Sequence, residues 1–135
     1  MKKGLLFGII FTLIGLLLCF IPSHIAPVCG PMQDGGFMKC HWTGRSIKGL
    51  GAVLAFLGIA FLILKNEALR CGLSIAGIAL GVLTIMIPLK LIGTCKMPAM
   101  GCNMHTKPAV YLLAGIYIIL HIIYLLLNRK EWMKK

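Results

Sequence analysis

Four apolar runs alternate with polar stretches along this chain, at residues 4–21, 47–64, 71–89 and 109–127. About 20 apolar residues suffice for a helix to cross the hydrocarbon core of a bilayer. Each run therefore predicts a transmembrane helix. Pro22, Pro27, Gly30-Pro31 and Gly35-Gly36 punctuate the first long connection, and Gly93, Pro98 and Gly101 the second. Pro108 suits the first turn of the fourth helix, where no N–H is needed. Lys65 to Arg70 reads as a short polar link. The pattern predicts one all-α membrane domain over residues 1–135, built as two hairpins with outer loops at 22–46 and 90–107. Met1-Lys2-Lys3 before an apolar run also resembles the start of a signal peptide. No small-x-small cleavage site follows, so the first run is expected to stay as a span.

The two halves repeat. A shift of 66 carries Gly15 onto Gly81, Pro22 onto Pro88 and Cys29 onto Cys95. After a four-residue deletion, a shift of 62 carries Cys40 onto Cys102 and Ala52 onto Ala114. Both hairpins run the same way, so this is a parallel repeat and not an inverted one. Small residues recur at three- or four-residue spacing in three of the spans: Gly4, Gly8, Thr12 and Gly15; Gly51, Ala55 and Gly58; Gly77, Gly81 and Thr84. Such faces let helix backbones approach closely in lipid. The pattern allows them either to pack the bundle itself or to dock on a partner.

Composition agrees with a membrane solvent: 59% of residues are hydrophobic, 13% are charged, and mean hydropathy is +0.95. The net charge of +11 would suit nucleic acid, but the cations sit at the ends of the apolar runs, where membrane anchors belong. Asp34, Glu67 and Glu131 are the only acids, and none lies within a run, which argues against paired-carboxylate chemistry. Eight Lys and Arg lie on the side of the termini and six in the long loops. That bias, with cysteines concentrated in the loops, predicts cytoplasmic termini and extracytoplasmic loops in an inner membrane.

The loops hold five of eight Met, three of four His and four of six Cys. Cys29 with Cys40, and Cys95 with Cys102, would close short disulfide rings, and crossed pairing between the loops is also open. A second reading is a soft-metal site. Met32, His41, Met97, Met100, Met104 and His105, with or without the thiolates, form a donor set suited to copper. A third is thiol–disulfide catalysis, although neither pair has the two-residue spacing that activates such thiols. Cys19 and Cys71 read as small apolar fillers. His121, inside the fourth span, reads as a neutral side chain bonded to a neighbouring helix.

Met38-Lys39-Cys40-His41-Trp42-Thr43 and Cys95-Lys96-Met97-Pro98-Ala99-Met100-Gly101-Cys102-Asn103-Met104 resemble the signatures of a family of small prokaryotic four-helix membrane proteins of unknown function. The resemblance covers nearly the whole chain and implies the fold already inferred, without an activity. The resemblance further implies an association with ABC-type permease components, which such proteins often accompany, and so favours a non-enzymatic accessory subunit with a membrane-protein partner, in contact with membrane lipid.

Overall fold

The computed structural model describes residues 2–21, 24, 39–91 and 107–133. Four long helices, α1 (Lys2–Phe20), α2 (Lys39–Ile63), α3 (Glu67–Met86) and α4 (Lys107–Leu127), are followed by the short α5 (Arg129–Met133). No strand occurs among the described residues. Each long helix has the length and composition to cross a membrane, and the chain is a multi-pass, all-α membrane protein. Helices are the natural solution for these runs, because in hydrocarbon every backbone polar group must find its partner within the segment. α1 packs along α2 and α3 along α4, while α2–α3 and α1–α4 contacts join the two hairpins.

Three boundaries differ from those expected. α2 begins at Lys39 and not at residue 47, so Cys40-His41-Trp42-Thr43 stands on its first turns and not in the loop. No proline interrupts residues 39–46, and Thr43 lies four residues before Ile47, both buried, so the inward face simply extends by a turn. α3 begins at Glu67, which shortens the link to residues 64–66. Asn66 caps it, accepting a hydrogen bond from the Ala68 N–H at 3.1 Å, and Glu67 places a negative charge on its first turn. At the other end α3 passes into a wide turn, Ile87–Leu91, with Pro88 buried in it. Proline has no N–H for the regular ladder, and a wide turn absorbs the break. Ile21, beside the matching Pro22, shows the same wide-turn geometry.

The small-residue faces pack the bundle itself. A β-carbon on Gly15 would collide with the Ala55 backbone, and one on Gly51 with the Cys19 backbone. α1 and α2 therefore touch backbone to backbone. Across the second hairpin a β-carbon on Gly77 would come within 2.6 Å of His121, and one on Gly81 within 2.7 Å of Ile118. Gly15 and Gly81, equivalent in the repeat, thus do equivalent work at the two hairpin contacts.

Aromatic side chains fill the centre between α1, α2 and α4. Phe11 meets Phe61 edge-on at 5.3 Å and Tyr117 at 5.6 Å, and Phe61 meets Tyr124 at 4.9 Å. α3 turns Ser74, Gly77, Gly81 and Thr84 inward. The two hydroxyls donate to the carbonyls four residues back, Ser74 to Arg70 at 3.0 Å and Thr84 to Leu80 at 2.8 Å, so their burial leaves no orphan.

Candidate functional site

Polar side chains gather inside the end of the bundle where α2 turns into α3. Arg70 stands one turn into α3 and is only 5% exposed. Its Nε donates to the Leu64 carbonyl at 2.6 Å, and its Nη1 to Glu67 Oε1 at 3.2 Å. The second carboxylate oxygen of Glu67 accepts from the Tyr124 hydroxyl of α4 at 2.8 Å. The guanidinium lies 5.5 Å from the centre of the Phe61 ring and presses against Gly4 of α1, where a β-carbon would collide with it. All four long helices therefore meet at one cation.

Elementary electrostatics explains the arrangement. The last carbonyls of a helix lack an intrahelical donor, and a basic side chain can supply one. Arg70 does this for the end of α2 while its charge is answered by Glu67. A guanidinium alone in hydrocarbon would be expensive; paired and hydrogen-bonded near the bilayer surface, it becomes a tie between elements. The residues read as a polar link are thus part of the core. Arg70, expected in a polar link, is buried, because α3 starts four residues earlier than expected and turns it inward.

Along the same face of α4, His121 and Tyr117 continue inward from Tyr124. His121 is 2% exposed and stacks on Phe11, with ring centres 3.7 Å apart and planes 18° from parallel. Tyr117 meets its edge at 4.4 Å. Among the described residues, neither His121 ring nitrogen nor the Tyr117 hydroxyl has a hydrogen-bond partner. The expectation of a histidine bonded to a neighbouring helix is therefore corrected. α3 faces it with Gly77, which has no side chain to bond, and ring stacking holds it instead.

Cys29, Met32, Cys95, Met97, Met100, Cys102, Met104 and His105 lie outside the described residues. Cys40 stands on the first turn of α2, with its side chain outside the description. His41, beside it, is half-buried, its ring 5.8 Å from that of Trp42. Among the described residues no group of three His, Cys, Asp or Glu converges as a metal site. Cys19 and Cys71 carry free thiols, the second buried.

Sequence reading missed the Glu67–Arg70–Tyr124 cluster because its first two members look like loop. A signal was present. Asn66 is a good helix cap, and Arg70, Ser74, Gly77, Gly81 and Thr84 share a helical spacing that runs straight on from the supposed link.

Among known families, residues 11–127 match the one described as a domain of unknown function, DUF4418. The chain belongs to that family. The DUF4418 match begins at Phe11 and ends at Leu127, so it takes in the polar cluster, the stacked histidine and both long connections. No curated protein and no solved structure matches the chain.

Proposed function

We propose that this DUF4418 protein is a non-enzymatic accessory subunit of a larger membrane assembly, docking through the outer face of α3 on a helix of its partner. The observation that carries this reading is the unequal use of small residues on α3. Gly77 and Gly81 are consumed by contacts with α4. Ala68, Gly72, Ala76 and Ala79 lie on the opposite side and are exposed, and nothing stands within 4 Å of a β-carbon built on Gly72. Between helices in lipid, attraction comes from close packing, and small residues permit it. A partner helix with its own small-residue face fits this surface, and a permease component is the partner that the family resemblance suggests. In this reading the termini are cytoplasmic and the cysteine-bearing connections face outward, each stapled by its own pair, Cys29–Cys40 and Cys95–Cys102.

The test places a photo-crosslinking residue at Ala76 or at Leu112, an exposed position on α4. Crosslinking in native membranes should trap one stoichiometric membrane protein from Ala76 and none from Leu112. Gly72→Leu should abolish the product while leaving the unfolding midpoint in detergent unchanged. A chain that stays alone from both positions overturns the reading, as does a product indifferent to Gly72→Leu.

A further inference from the structure

A second feature of the same end points to a ligand. α3 and α4 close up deeper in the bilayer, where Gly77 and Gly81 face His121 and Ile118. Toward the α2–α3 link the glycines give way to Cys71 and Ile75, and a groove of about 320 Å³ opens between the helices, lined by Cys71, Ile75, Leu125, Leu126 and Arg129. Its walls are hydrocarbon except at one point. That point is Arg129, the first residue of α5, just beyond the end of the α4 span.

We propose that this groove seats one anionic phospholipid, its acyl chain along Ile75, Leu125 and Leu126 and its phosphate on Arg129. Three observations carry the inference. Ile75 and Leu126 are 59% and 63% exposed, so the groove opens to the bilayer and a lipid tail reaches it without any helix moving. Arg129 stands where a headgroup lies when the tail runs inward along α4, since residues 125 to 129 span about 6 Å of helix rise. The ion pair among the described residues is Arg70 with Glu67, which leaves the Arg129 guanidinium for a ligand. A guanidinium grips phosphate through paired N–H groups, a geometry that lysine lacks. Lys65 and Lys130 are exposed at the same end and add to the positive field that favours an anionic headgroup over a zwitterionic one.

The groove borders the docking face, since Ile75 lies three residues from Gly72 and four from Ala79, but Cys71, Leu125, Leu126 and Arg129 set it toward α4, and its test reads lipid retention and not a protein partner. The experiment takes the full chain in nanodiscs of equal phosphatidylglycerol and phosphatidylcholine, releases it into mild detergent, and counts retained lipid by native mass spectrometry. One phosphatidylglycerol per chain should be retained in preference. Arg129→Ala should lower that preference about fivefold, the worth of one basic residue at an anionic surface. Arg129→Lys should recover part of it. Leu126→Trp, which fills the groove without changing charge, should lower retention as well. Millimolar inorganic phosphate should leave the lipid in place. Equal retention of the two lipids overturns the proposal, as does a Lys130→Ala loss equal to that of Arg129→Ala, which would assign binding to the basic surface at large. Indifference to Leu126→Trp, in protein whose unfolding midpoint is unchanged, also overturns it, as does displacement by free phosphate.

Discussion

At the scale of single residues, the polar cluster makes sharp predictions about stability. Tyr124→Phe removes one hydrogen bond to Glu67 and should cost about 1 kcal/mol, since interhelical bonds in membranes are modest. Arg70→Ala should cost more, about 2 kcal/mol, because it strips Glu67 and the Leu64 carbonyl of a donor together. The figure stays below that of a fully buried pair because the Glu67 side chain is 39% exposed. Both are read from unfolding in mixed detergent, and pairing Arg70→Met with Glu67→Leu should recover most of the loss. His121→Phe should go the other way, raising the unfolding midpoint. Phenylalanine keeps the stack on Phe11 and removes two ring nitrogens that have no partner among the described residues. A clear loss of stability would instead report crowding of the larger ring against Gly77, where a β-carbon would already come within 2.6 Å of His121. Sequence alone marked His121 as an intramembrane ionisable group but gave it a hydrogen bond to a neighbouring helix that the structure lacks, because the residue facing it on α3 is Gly77, and pairing across helices is not written in either one.

At the scale of elements, the four spans were legible because hydrophobic length is a one-dimensional property. Their ends were not. The first turns of α2 and α3 are polar in composition, and only tertiary contact shows that Thr43 and Arg70 face inward. Which small-residue face does what was likewise hidden, since an inward and an outward stripe look alike in a string of letters. The structure separates them and predicts a contrast. Gly51→Leu should disrupt the hairpin, because the added atoms enter the Cys19 backbone, and it should appear as proteolytic sensitivity and a fall in the unfolding midpoint. Gly72→Leu, with open space around it, should leave both unchanged. A helix tolerates leucine at either place, so any difference reports packing and not propensity.

At the scale of the whole molecule, two hairpins are joined by the aromatic core and, at one end, by Arg70 of α3, which bonds the Leu64 carbonyl at the end of α2 and lies against the Phe61 ring. The described residues hold the framework, and the cysteine- and methionine-rich connections carry the remaining chemistry named from sequence. Peptide mapping of unreduced protein should find Cys29 linked to Cys40 and Cys95 to Cys102, with Cys19 and Cys71 open to alkylation after denaturation. Four free loop thiols with bound copper would replace the staples with a soft-metal site. The tie itself bears on how the chain is made. A membrane protein emerges from the ribosome helix by helix, and Glu67 and Arg70 arrive a full helix before Tyr124. Until α4 is synthesised, the carboxylate lacks its tyrosine partner. A nascent chain that stops short of Tyr124 therefore carries the Glu67–Arg70 pair already formed within α3, and it is the arrival of the Tyr124 hydroxyl that fastens this pair to the last span.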